Sequence, residues 1–251
     1  THTYASAGEY TIKIDGTLRG FKFDDGGDKL KIKDISNWGV MQFDSGSETF
    51  HGCENLTCSA VDAIVILDVR LRKVFEDCSN FNGAIGNWDI SNVTNTESTF
   101  SRASAFNQDI GNWDMSNVTD MRFMFGNAIL FNQDIGNWNV GNVTKMSGVF
   151  NDASSFNQDV GDWDVSNVTV MDRMFDRASA FDQDLSSWNI ANVINFDNFM
   201  RSVTLSAANY DALLIGWEAQ SVQDNITINF GASQFASDEA FLAKQALIND
   251  H

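Results

Sequence analysis

Carboxylates recur along this sequence at a fixed step. Asp109, Asp134, Asp159 and Asp184 stand 25 residues apart in a loop that also carries glycine. Hard cations take oxygen ligands from such loops, so this column would suit calcium. Its spacing is neither that of an EF-hand nor that of the glycine-rich nonapeptides of calcium-binding β-rolls. Asp89, Asp114, Asn139 and Asp164, continued by Asn189, form a second column. It is flanked by Ser91, Ser116, Gly141, Ser166 and Ala191. Small acidic side chains in a row leave a shallow polar strip, able to accept hydrogen bonds from sugar hydroxyls or from a peptide. No aromatic platforms accompany it, which weighs against sugars, and the plain alternative is a solvated face. A third candidate is a recognition patch of Phe123 with Arg122 and Arg173, because Phe123 is apolar where Ser98, Gly148, Arg173 and Asn198 occupy the same slot. Ordinary surface drift would give the same pattern.

For catalysis the sequence offers little. His2, His51 and His251 are the only histidines. There is no nucleophile elbow, phosphate loop or metal-ligand motif. Carboxylate pairs are multiplied by repetition, so they carry no acid–base signal. The chain is expected not to be an enzyme and to carry no cofactor, calcium being the one alternative.

These columns belong to a larger periodicity. Phe81, Phe106, Phe131, Phe156 and Phe181 open five copies of one 25-residue phrase. Trp88, Trp113, Trp138, Trp163 and Trp188 keep the step, as do Asn92, Asn117, Asn142, Asn167 and Asn192. Self-similarity at such a period is the signature of stacked repeats. Trp113 and Met115 alternate with Asp114 and Ser116, the period of a strand with one face inward. Met121, Met124, Phe125 and Ala128 follow at helical offsets. Thr119 before them suits an N-cap. Each repeat therefore reads as strand, short helix and loop, and stacked strands would form a parallel sheet. The asparagines read as structural, their amides bonding the backbone of their own turn and the next.

Residues 31–80 carry the same phrase in worn form, since Trp38 to Phe50 spans the same interval as Trp88 to Phe100. The second worn copy has 64–69 as its apolar strand. Residues 1–30 read as an N-terminal β cap, with Tyr10, Ile12 and Ile14 alternating against polar neighbours. Residues 206–251 read as a C-terminal cap of helix, strand (Ile226, Ile228, Phe230) and helix. The expected fold is a right-handed, leucine-rich-repeat-like α/β solenoid of about seven turns, with 31–80 degenerate and 81–205 regular. Acids outnumber bases 34 to 16 for a net charge of −18, which opposes nucleic acid and anionic membrane surfaces. No apolar run approaches the ~18 residues of a membrane span.

The phrase F-N-Q-D-I-G-N-W-D-V-S-N-V-T-x-M-x-x-M-F resembles the 25-residue repeats of bacterial BspA-like leucine-rich-repeat surface proteins, a group first catalogued as a mycoplasma domain of unknown function. It covers Phe81 to Leu205 closely and 31–80 loosely. The closing N-Y-D-A-L-L-I-G-W-E-A-Q-S-V-Q-D and the opening H-T-Y-A-S-A-G-E-Y-T-I-K-I are also similar to that family's ends. The resemblance implies a secreted or surface-anchored protein linked to adhesion, with no catalytic residues to carry over. The function expected is a non-catalytic binding or adhesion module of a bacterial surface or secreted protein, a monomeric fragment of something larger. Its partner would be an extracellular protein or glycan met through a solenoid face. A spacer domain, a calcium-stabilised repeat module and a glycan-active enzyme are the alternatives. Cys53 and Cys78 fall in the slot held by Ala103, Ala128, Ala153 and Ala178. Stacked one repeat apart, they lie within disulfide range, and a surface protein meets an oxidising environment. A small buried residue in that slot is the other reading. Cys58 falls at the position of Gln108 and is expected to be unpaired.

Overall fold

The 25-residue step of the sequence is also the step of the backbone contacts. A computed structural model describes residues 6–43, 46–64, 66, 69–220, 223 and 226–249. Parallel bridges run in an unbroken series from Arg70 to Asn95, Asp120, Lys145, Val170 and Asn195. Ahead of them, β1 (Leu18–Arg19) pairs in parallel with β3 (Met41–Gln42), and β2 (Asp34–Ile35) with β4 (Thr57–Cys58). A 3-10 turn at Lys29–Lys31 lies between β1 and β2. Two helices close the chain, α1 (Ala207–Glu218) and α2 (Asp238–Asn249).

Where a short helix was expected, each repeat has a run of turns. Every second amide there donates to the following repeat: Met121 to the Lys145 carbonyl (3.0 Å), Phe123 to Ser147 (2.9 Å), Phe125 to Val149 (2.9 Å) and Asn127 to Asn151 (2.6 Å). The same four donors recur at 71–77, 96–102, 146–152 and 171–177. The amides between them, Met124, Gly126 and Ala128, bond back to the carbonyls of Met121, Phe123 and Phe125. A helix would need all these amides for its own i−4 carbonyls. Half of them are used between repeats, and Phe123 and Asn127 adopt φ of +53° and +59°, which no α-helix admits. Thr119 is accordingly not an N-cap. Its hydroxyl donates to the Thr94 carbonyl at 3.2 Å, as Thr144 does to Thr119 and Thr169 to Thr144.

The buried pattern nonetheless matches the sequence. Met121, Met124, Phe125 and Ala128 are all fully buried. Trp113 and Met115 point inward and Asp114 outward, although no strand forms there. Two phenylalanine columns run through the core. Phe75, Phe100, Phe125, Phe150 and Phe175 stack at 5.5–5.8 Å between ring centroids. Phe81, Phe106, Phe131, Phe156 and Phe181 stack at 5.9–6.1 Å. The columns touch face to face within each repeat, Phe125 to Phe131 at 3.9 Å. Trp113, Trp138, Trp163 and Trp188 donate their indole N–H to the previous repeat, Trp138 to Ile110 and Trp163 to Ile135, both at 3.1 Å. Gly86, Gly111, Gly136 and Gly161 share a slot that the next repeat's backbone approaches closely, and Ser186 takes it in the last regular repeat. A Cβ on Gly111 or Gly136 would stand 2.6 or 2.7 Å from the carbonyl oxygen of Asp134 or Asp159 in the next repeat.

The C-terminal cap continues these columns with other elements. In α1, which starts at the Ser206 hydroxyl cap, Trp217 donates its indole N–H to the Leu185 carbonyl at 3.0 Å. That is the bond Trp188 makes to Val160 one repeat earlier. The Met200 amide, which would have donated to a further repeat, bonds the Asn229 carbonyl at 3.0 Å. The expected strand at 226–230 is not formed among the described residues, although Phe230 packs on Tyr210 and Trp217. At the other end the expectation of a strand over Tyr10–Ile14 is corrected. Those residues are exposed, and the strand is β1, because Leu18 and Arg19 are what β3 runs beside. Of the apolar stretch 64–69, Ile64 and Ile66 are buried, Val69 is exposed, and 65, 67 and 68 lie outside the described residues.

Candidate binding faces and site residues

The carboxylate columns are built by their own loops. Asp109, Asp134 and Asp159 each accept the amide of a glycine two residues on, at 2.9–3.0 Å, and Asp184 accepts that of Ser186 at 2.8 Å. All four are exposed, and the geometry is that of Asx turns. The second column behaves alike. Asp89, Asp114 and Asp164 accept from Ser91, Ser116 and Ser166 at 3.0 Å, Asn139 from Gly141 at 3.2 Å, and Asn189 from Ala191 at 3.1 Å. Hydrogen bonds from the Ser91 hydroxyl and amide hold the Asp89 carboxyl below its ordinary value, and Ser166 does the same for Asp164. One oxygen of each side chain is thus engaged in local structure. Between Asn139 and Asp164 the strip has a notch at Gly141, whose Cβ would meet both side chains at 3.4 Å.

The asparagine column bonds backbone as expected, but that of the preceding repeat rather than of its own turn and the next. Asn117, Asn142, Asn167 and Asn192 donate their amide N–H to the carbonyls of Ser91, Ser116, Gly141 and Ser166 at 2.7–2.8 Å, tying each repeat to the one before. Trp88 is buried like its successors, but its indole N–H has no partner among the described residues. Trp113, Trp138, Trp163 and Trp188 all have theirs.

The three residues of the candidate patch, Phe123, Arg122 and Arg173, have different surroundings. The Phe123 ring lies over Gly148 in the next repeat, so closely that a Cβ there would fall 2.3 Å from a ring carbon. Arg122 is held by Asp120, through Nε at 2.9 Å and Nη2 at 2.8 Å, and by Glu97 at 3.0 Å. Arg173 alone is exposed. Arg122 is a link in an alternating charge chain that sequence reading missed. It passes from Lys22 to Glu48, Arg72, Glu97, Arg122, Asp120 and Lys145. The missed signal is that Arg72, Glu97 and Arg122 stand one repeat apart with alternating sign. Burial pushes the Asp120 carboxyl up, but the hydrogen bonds and charge of Arg122, with Lys145, outweigh it and hold the group below its usual range.

Cys53, Cys58 and Cys78 are free thiols. Cys53 and Cys78 occupy the same slot of consecutive repeats, and the Cys78 thiol donates to the Phe50 carbonyl at 3.0 Å. Burial pushes the Cys53 thiol up to about 12 and the Cys58 thiol to about 11, and drives Cys78 well above its ordinary value. None is a thiolate near neutral pH, so none is a ready nucleophile.

Kinship follows from the repeat unit. Over residues 22–117, 47–146, 106–213 and 131–241 the chain matches the family described as Mycoplasma protein of unknown function, DUF285. It belongs to that family. The overlap of four matches means that the unit shared across DUF285 is itself repeated within this chain. No curated protein and no solved structure matches it.

One place on the loop face of this DUF285 chain departs from its neighbours. Gly83 and Ala84 stand where the regular repeats carry Gln108 and Asp109. Ala84 lies in a shallow, open depression of about 530 Å³ lined also by Val61, Gly86, Asn87, Gln108, Asp109 and Asn112. Three side-chain amides and a carboxylate line its polar side, and Val61 is 78% exposed. No helix among the described residues is long and apolar enough to cross a membrane.

Proposed function

We propose that this chain is a non-catalytic binding or adhesion module of the BspA-like leucine-rich-repeat kind, a solenoid from a bacterial surface or secreted protein. Its partner is an extracellular glycan or protein held against the loop face. The depression between Val61 and Asn112 carries this reading. It coincides with the break in an otherwise uniform column, and a binder needs such an unequal cluster whereas a spacer does not. Its amides and carboxylate both donate and accept, the set that hydroxyl-rich or peptide ligands require. The acidic surface disfavours nucleic acid as the partner.

The test is a screen of glycans and matrix proteins, run with and without calcium, on the parent chain and on Ala84→Asp, which restores the regular residue and fills the depression. A ligand bound by the parent and weakened by Ala84→Asp supports the reading. A parent chain that binds nothing favours the spacer, and a ligand indifferent to Ala84→Asp moves the site elsewhere. Binding abolished by calcium removal favours the calcium-stabilised alternative through Asp109, Asp134, Asp159 and Asp184.

A further inference from the structure

The two worn repeats bring together the chain's one central histidine and two carboxylates. His51 and Glu76 are one repeat apart, so their side chains lie side by side, with Asp77 next to them. His51 Nε2 stands 3.4 Å from Glu76 Oε2 and 3.5 Å from Asp77 Oδ2. The three donor atoms lie within 4.8 Å of one another. These separations are too long for an imidazolium–carboxylate hydrogen bond, which closes to about 2.7–2.9 Å. They fit an ion between the atoms instead, since two bonds of about 2.0–2.1 Å meeting at a tetrahedral centre span roughly 3.3 Å.

Two buried atoms here also have no hydrogen bond among the described residues, His51 Nδ1 and Glu76 Oε2. Glu76 is only 7% exposed. An uncompensated carboxylate at that depth requires a cation. The Lys73 ammonium supplies one at 2.9 Å, but out of line for a hydrogen bond, and its side chain reaches solvent. Asp77 has its ion pair among the described residues with Arg102, 3.4 Å away at the surface, and feels the Lys29 charge from further off. Both counter-charges can swing out.

We propose that His51, Glu76 and Asp77 bind one divalent cation of the zinc class, displacing Lys73 and joining the two worn repeats. An imidazole with two carboxylate oxygens selects that class over calcium or magnesium, which prefer all-oxygen sets. Three protein ligands leave the fourth position to water. The ion would fasten the part of the chain where the regular columns are least complete, since the indole N–H groups of Trp38 and Trp88 have no partner among the described residues.

The experiment uses the full chain with His2→Ala and His251→Ala, so that His51 is the only imidazole. Zinc and, separately, calcium are titrated by calorimetry. The expected result is one zinc equivalent, weakened on the order of tenfold or more by His51→Ala and by Glu76→Gln, and unchanged by Asp109→Asn. Calcium should show no dependence on His51. Nitrogen NMR of the parent imidazole gives a readout that needs no further variant, because zinc must move its ring resonances at one equivalent. Zinc binding indifferent to His51→Ala, or ring resonances unmoved by zinc, overturns the proposal.

Discussion

At the scale of single residues, the surface letters that vary between repeats turn out to be fitted to one another. Phe123 takes a left-handed φ of +53° and spreads its ring over Gly148, itself at +59°. That pairing was invisible in the sequence, where Phe123 stood out only as an apolar residue in a polar column. Gly148→Ala should destabilise by about 1–2 kcal/mol from backbone strain alone, and more because the new methyl meets the ring. In a Phe123→Ala background the steric part should vanish, giving a coupling of about 0.5–3 kcal/mol in a double-mutant cycle read by chemical denaturation. Strict additivity would show that the ring does not rest there. Asp120 gives a second test. Its folded pKa lies below the unfolded value of about 3.9. Its contribution is therefore fully present above about pH 4 and lost as pH falls through the folded pKa. Asp120→Asn should flatten the acid limb of the stability profile below that pH, and an unaltered limb would show that the Arg122 and Lys145 contacts contribute nothing.

At the scale of elements, the core positions that the sequence reading named are buried, but it misjudged the backbone that buries them. Met121, Met124, Phe125 and Ala128 have helical spacing and are indeed interior. A run of turns buries the same set, so periodicity could not distinguish the two. What excludes the helix is the left-handed pair at 123 and 127, and nothing in Phe123, Arg173 or Arg102 announces such a conformation. The asparagine column was legible as structural because its chemistry is local and repeated, whereas the close approach of backbone at Gly111 and Gly136 was not read from the sequence. The charge chain and His51 with Glu76 were equally present at the 25-residue step, but their letters change sign or type from repeat to repeat, and His51 and Glu76 lie where the repeat is worn. The tryptophans are the element-scale test. Trp138 is 3% exposed and bonds the Ile110 carbonyl. Trp138→Ala should cost about 3–5 kcal/mol, the range for emptying a buried aromatic site. A melting temperature unchanged by the substitution would place the indole outside the core.

At the scale of the whole molecule, the repeats behave as interchangeable units with one register. Four amides of each repeat from 71–77 to 171–177 donate to the next, and the Phe columns carry the same geometry from pair to pair. Where units contact mainly their neighbours, stability is close to a sum of unit and interface contributions. The most direct measurement is therefore thermal and chemical unfolding of a chain from which residues 131–155 have been deleted. Removing one full period sets Phe106 against Phe156, Phe125 against Phe175 and Trp113 against Trp163, each pair already shaped for that neighbour. The account predicts a folded chain with cooperative unfolding and a modest loss of stability, whereas deletion of 131–142, which breaks the period, should abolish folding. An unfolded product from the full-period deletion, or equal damage from both deletions, would contradict it.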